Sequence, residues 1–202
     1  MHTSHALEAE DDLLWELCGD KPDGFFIDVG ACEPEAGSVS KSFYDAGWVG
    51  INIEPVPYLI YKFYAAQPRS RNLACALSDV HSEPVTLWTH PESTLWSTLD
   101  ETIAKAKGMV PSGLVPVSTL AAVCERWHVG EIDWLKVDVE GWEGKVLAGN
   151  DWSRWRPRAL CIESFVPHTA EPSHEAWEPF VLAQGYELAT ALGLNRFYRR
   201  TE

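Results

Sequence analysis

The sequence predicts one α/β domain built on a mixed, mostly parallel sheet. Three patterns predict it. Residues 24–79 alternate short apolar runs with helical segments in a βαβαβ order, which implies parallel strands joined by right-handed crossovers. Further apolar runs at 132–140 and 159–163 resume that rhythm, and two extended segments near the end read as an antiparallel hairpin. With 202 residues, 46% of them hydrophobic and 23% charged, the chain suits a single domain over 1–202 with a core of its own.

A leading helix is expected within residues 1–22, because Leu7, Leu14 and Trp15 recur near helical spacing over 6–18 and Gly19 and Pro22 stop it. Residues 24–30 form a short apolar run closed by Asp28 and Gly30, a buried parallel strand. A helix over 38–46 follows, with Ser38 or Ser40 as its cap and Gly47 as its stop. Residues 48–55 make a second strand ending in Glu54, residues 57–66 a helix, and residues 72–79 a third strand. The stretch 80–116 reads as a variable loop or lid: residues 85–88 suit a strand, but 91–113 are rich in Ser, Thr, Gly and Pro. Beyond it come a helix at 118–128, a fourth strand and its exit loop at 132–140, a helix at 142–148 and a fifth strand at 159–163. A helix at 173–184 precedes the hairpin of 186–190 and 195–199.

Composition excludes several classes. The formal net charge of −14 disfavours nucleic acid, whose binders need clustered Lys and Arg; the basic clusters here are confined to 69–71, 154–158 and 199–200. No run of about 18 apolar residues is present, so no membrane span is expected. The start lacks the basic-then-apolar order of a signal peptide, which makes the cytoplasm the default. The five cysteines have no C-x-x-C pair, so neither a disulfide framework nor a zinc site is expected. The oligomeric state is not legible.

In an open parallel sheet, ligands bind beyond the carboxyl ends of the strands. Those ends here carry Asp28 with Gly30, Glu54, Ser78 with Asp79, Asp138 with Glu140, and Glu163. Any one of these reads more readily as a cap for the next helix; the set together points to a site. Gly30 allows close backbone approach, but Glu33 and Glu35 after it would repel a pyrophosphate, so this is no dinucleotide loop. Glu54 follows Gly30 at roughly the 20-residue distance at which dinucleotide folds place a ribose-binding acid. S-adenosylmethionine, with an adenosine, no phosphate and a sulfonium charge, meets both demands.

Residues 26–31, 38–44, 47–55, 135–143, 156–157, 162–163 and 193–198 resemble the FkbM-type S-adenosylmethionine-dependent methyltransferases, over roughly 24–200. The G-W-x-G-I-N-I-E-P element at 47–55 and the K-x-D-x-E-G-x-E element at 136–143 carry most of the likeness. It implies a Rossmann-like class I methyltransferase fold of about seven strands, with the cofactor over the first two. By position Asp28, Gly30 and Ala31 would line the amino-acid end of the cofactor, Glu54 would hold the ribose, and Ser78 and Asp79 would lie near the adenine. One departure is Cys32, where the family often has Asn. Members mostly methylate hydroxyls of sugars or polyketide-like products, so the resemblance implies O-methylation of a small, carbohydrate-like acceptor.

Such an acceptor needs its proton removed or its alkoxide stabilised. Asp138, Glu140 and Glu163 end strands expected to be neighbours, so their carboxylates form either a base or, through Asp138 and Glu163, a Mg²⁺ site. Lys136 alternates with Asp138 and faces the same side, as a catalytic partner or as a buried pair that only fixes the strand end. His168, in the loop after the fifth strand, is the histidine best placed for a general base, or else a surface residue. Trp88, Trp96 and Trp142 lie near loop ends where indole rings can stack on sugar, while Trp15, Trp48 and Trp134 suit the core. Two rivals stand beside this reading: an NAD(P)-dependent oxidoreductase on a similar sheet, and a non-catalytic cofactor-binding module.

Overall fold

The computed structural model describes residues 3–19 and 21–201. Residues 1, 2 and 20, part of the expected leading-helix segment, and residue 202 lie outside the described residues. The helix itself, α1, runs over Glu10–Cys18 rather than from residue 6. Ala9 turns left-handed at φ 60°, and the Asp11 carboxylate takes the Ser4 hydroxyl and the His5 amide, so the preceding segment lies across the molecule instead of continuing the helix.

The main sheet is assembled as expected. β1 (Phe25–Val29), α2 (Val39–Asp45), β2 (Val49–Ile53), α3 (Pro57–Ala66) and β3 (Arg71–Leu73) form the first parallel unit. β4 (Ala76–Leu77), β5 (Ser82–His90), β6 (Ser93–Thr98), α4 (Glu101–Ala106) and β7 (Val110–Ser118) follow. The chain then returns through α5 (Leu120–Arg126), β8 (Trp134–Val137), α6 (Glu143–Ala148) and β9 (Ala159–Glu163). It ends in a 3₁₀ turn (His174–Ala176), α7 (Glu178–Ala183), β10 (Tyr186–Leu192) and β11 (Asn195–Arg200). The 7-stranded sheet has the order β10-β11-β9-β8-β1-β2-β3, with β11 antiparallel to both neighbours. Strand order reverses between β1 and β8, which is where a crevice opens at the strand ends.

Period-two alternation sorts the strands onto two cores. Ile27, Ile51, Leu135 and Leu160 pack on one face among the residues of α5 and α6. Phe26, Trp134, Ala159, Cys161 and Phe197 pack on the other against α1 and α2, with the Phe26 and Trp134 rings stacked at 4.9 Å. Trp48 and Trp134 are fully buried and Trp15 packs beside them, as expected of core indoles. On this second face the next row outward is polar. Asp28 pairs in register with Lys136, and Glu163 with Asn195, so the row that follows the apolar one delivers charged groups to the crevice.

Two segments differ from expectation. The third strand, expected over 72–79, divides: Leu73 pairs with Ile53 at the edge of the main sheet, while Ala76 pairs with Val117 in a second sheet. One apolar run serves two partners, a choice made by tertiary pairing. The region expected as a loop over 91–113 is mostly ordered structure: it holds β6, α4 and the start of β7, and its strands join a 4-stranded sheet of order β4-β7-β5-β6. Only one face of that sheet is covered, by Val56, Leu59, Ala76, Leu87, Val115 and Val117, so its exposed face keeps the polar composition of a loop. The expected helix at 173–184 divides at Trp177 into the 3₁₀ turn and α7. Among the described residues no helix is long and apolar enough to cross a membrane.

Candidate active site

A cavity of about 710 Å³ opens at the carboxyl ends of β1, β2, β8 and β9, roofed by the β5–β6 hairpin. Asp28, Gly30, Ala31, Glu54, Lys136, Asp138, Glu140, Glu163 and His168, all anticipated from the sequence, border it. Ser78 and Asp79 do not. The Ser78 hydroxyl donates to Asp79 and receives the Trp142 indole N–H, and Asp79 pairs with Lys145 at 2.9 Å. Cys75, Ala76 and Leu77 line the cavity there instead, because the divided third strand carries Ser78 past the rim. Trp96 and Trp142 border the cavity and Trp88 does not.

The turn after β1 is shaped by its contact with β8. Gly30 has φ 77°, and a Cβ at that position would collide with the Asp138 carbonyl oxygen. Glycine is therefore required twice, for backbone sign and for space. Its N–H donates to Ile53 at 2.9 Å, and the Asp138 N–H donates to Val29 at 3.0 Å, locking the turn between its two neighbouring strands. Cys32 is also left-handed, at φ 57°. Asn tolerates that conformation best among non-glycine residues, which gives the family's usual residue there a backbone reason. Glu140 and His168 have positive φ as well, so three strained backbones gather at one cavity.

Burial dominates the electrostatics. Asp28 is 1% exposed, its Oδ1 has no hydrogen-bond partner among the described residues, and burial raises its pKa to about 6 against the pull of Lys136. Glu54 accepts the amides of Val56 at 2.8 Å and Cys32 at 3.1 Å, yet burial still lifts it to about 7. Each of its oxygens keeps a lone pair for a further donor. Lys136 donates to Asp138 at 2.8 Å. Burial alone would lower its pKa, but Asp138 and Asp28 outweigh that and hold it firmly protonated.

Asp138, Glu140 and Glu163 each bring one oxygen within 4.8 Å of the others. Burial first, then Asp138 and Glu143, raises Glu140 to about 8, and burial with its acidic neighbours keeps Glu163 well above the usual carboxylate range. The His168 ring lies against Trp96 with centroids 4.0 Å apart and planes tilted by 47°, and its Nε2 lies 3.7 Å from Glu140, too far for a hydrogen bond. Burial, then Lys107 and His90, lowers its pKa and keeps the ring neutral near pH 7.

Glu143 was not singled out as a site residue. Its buried carboxylate accepts the amides of Val139 and Gly141, both at 3.1 Å, and so fixes the turn that carries Asp138 and Glu140. The E-G-x-E spacing held that signal, since an acid opening a helix reaches back to free amides. Glu10 and Leu7, from the N-terminal segment, border the cavity without any sequence signal.

A methyltransferase FkbM domain profile matches residues 28–188. The chain belongs to the FkbM methyltransferase family. It is thus an S-adenosylmethionine-dependent methyltransferase, as the resemblance of its motifs implied, and the oxidoreductase alternative falls away. A TehB-like SAM-dependent methyltransferase from Corynebacterium glutamicum is similar in fold, with 10% identity, a TM-score of 0.50, and coverage of 95% of this chain and 87% of that one. A putative precorrin-6Y C5,15-methyltransferase domain from Corynebacterium diphtheriae aligns at 9% identity and TM-score 0.47, covering 95% of each chain. No curated protein matches the sequence.

The residues present fit the cofactor. The glycine turn admits a ligand against backbone, the unpartnered Asp28 Oδ1 awaits a donor, and the lining acids suit a cation and not a phosphate.

Proposed function

We propose that this methyltransferase acts on a hydroxyl oxygen of a small, carbohydrate-like acceptor. S-adenosylmethionine supplies an electrophilic methyl group on a sulfonium sulfur. In this reading Asp28, Gly30 and Ala31 border its amino-acid end and Glu54 receives the ribose hydroxyls. The observation that carries the proposal is the convergence of Asp138, Glu140 and Glu163 at the rim. A hydroxyl is a poor nucleophile until its proton leaves, and a carboxylate placed beside it is suited to take it. Asp138, anchored by Lys136, is the central acceptor of that proton, with Glu140 and Glu163 beside it. His168, neutral and held against Trp96, offers the route outward. Trp96 and Trp142 border the cavity, where an indole can meet a sugar's C–H surface. In-line alignment of acceptor and methyl group then supplies much of the rate.

The same three carboxylates are the ones that would hold a Mg²⁺ ion, whose chemistry calls for oxygen donors. Lys136 already occupies one Asp138 oxygen at 2.8 Å, which favours the metal-free base. Five free cysteines suit a reducing compartment, and we place the reaction in the cytoplasm. The net charge of −14 argues against a nucleic-acid acceptor.

The test is transfer of labelled methyl from S-adenosylmethionine into a panel of sugars, glycosylated metabolites, amines and thiols. Label in an O-methyl ether supports the proposal; label confined to nitrogen or sulfur overturns it.

A further inference from the structure

The family domain begins at residue 28, yet the cavity is closed partly by residues before it. Residues 4–10 form a strap across one side of the site. The Gly37 amide donates to the His5 carbonyl at 2.8 Å, and the Leu194 amide donates to the Glu8 carboxylate at 2.9 Å. The strap thereby joins the turn after β1 to the β10–β11 turn, and both Gly37 and Leu194 border the cavity.

This strap brings one further acid to the lining. Glu10 opens α1, is 7% exposed, and borders the cavity. Its Oε2 accepts the Glu8 amide at 2.8 Å and its Oε1 accepts the Asn195 side-chain amide at 3.4 Å. A carboxylate oxygen takes two donors, so each retains capacity. Glu10 also acts on Asp28 through space. Asp28 is buried on the same sheet face with Oδ1 unpartnered among the described residues. The neighbouring lysine, Lys136, is committed to Asp138. Two buried carboxylates with spare acceptor capacity, whose one nearby cation, Lys136, acts on Asp28 through space but gives its hydrogen bond to Asp138, call for a ligand that carries several N–H donors and a positive charge.

We propose that Glu10, held by the N-terminal strap, joins Asp28 in binding the α-ammonium of the cofactor's amino-acid moiety. This rests on the reading that S-adenosylmethionine occupies the cavity. The strap is then part of the cofactor site, and Glu10 discriminates a full cofactor from nucleosides that lack the amino-acid tail.

The experiment is a binding cycle by calorimetry. S-adenosylhomocysteine and its deaminated analogue, with hydrogen in place of the ammonium, are titrated into wild-type protein, Glu10→Gln and Glu10→Asp. For Glu10→Gln, affinity for S-adenosylhomocysteine is expected to fall by about tenfold or more, while the deaminated analogue binds both proteins alike. Glu10→Asp keeps the charge and is expected to retain part of the discrimination, which also serves if the glutamine variant folds poorly. Equal losses for the two ligands, or no loss for either, overturn the role of Glu10. Wild-type protein that binds neither ligand overturns the cofactor reading itself, and this proposal with it.

Discussion

Replacing Asp28 by asparagine is expected to stabilise the cofactor-free protein, and to do so more at high pH. Asp28 is fully buried, one oxygen is unpartnered, and the desolvation of its charge outweighs the attraction of Lys136. Its pKa rises from 3.8 to about 6. Between those values the native state binds more protons than the unfolded chain, so stability falls as pH rises through that window. Above it, the ionised side chain costs the fold about 3 kcal/mol; at pH 5 the cost is about half that. Asparagine keeps the shape and removes the charge. Urea unfolding followed by tryptophan fluorescence at pH 5 and pH 8 measures both proteins directly. The expected gain for Asp28→Asn is about 3 kcal/mol at pH 8 and roughly half of that at pH 5. A gain that does not grow with pH, or a loss at pH 8, refutes the claim that Asp28 is a desolvated charge awaiting a cation. The same variant is expected to bind S-adenosylmethionine more weakly, so stability and affinity move in opposite directions.

The remaining predictions concern the glycine turn, Glu54 and Asp138 in their proposed roles, the metal alternative and Glu143. Gly30→Ala puts a methyl group into the Asp138 carbonyl at φ 77°, and is expected to lower unfolding free energy by roughly 2 kcal/mol or more; a neutral result contradicts the close approach. Glu54→Gln keeps an acceptor but loses charge and is expected to weaken S-adenosylhomocysteine binding about tenfold, measured by calorimetry; unchanged affinity removes the ribose role. Asp138→Asn is expected to abolish methyl transfer while cofactor binding largely survives, and full activity in this variant removes Asp138 from the mechanism. Turnover undiminished by a chelator is expected, since the base reading needs no metal; turnover lost and restored by Mg²⁺ establishes the metal alternative at the same carboxylates. Glu143→Gln is expected to lower kcat with little change in KM for the cofactor, because it loosens the Val139–Gly141 turn and not the glycine turn.

Much of the site was legible because the relevant spacings are local. An apolar run ending in a carboxylate says both that a strand is buried and that its end faces the crevice beyond the sheet, and Asp28, Glu54, Asp138 and Glu163 each border the cavity there. Gly30 was readable for the same reason, although what it approaches, the Asp138 carbonyl, lies far along the chain. Ser78 and Asp79 lie off the cavity lining because position along an apolar run does not fix position in the sheet. Once the chain leaves β3 to pair with β7, those residues pass beyond the rim.

By itself, the sequence determined the α/β class, the order of the main strands, the acidic rim and the membership that its motifs announce, since period, turn residues and short motifs are encoded within a few residues of one another. Tertiary structure alone decided the second sheet over 76–118, the strap of residues 4–10 and the placing of Glu10 and Asp28 on one cavity. Those depend on which distant surfaces bury each other, and a half-exposed sheet has the same polar composition as a loop until its partner strands are known.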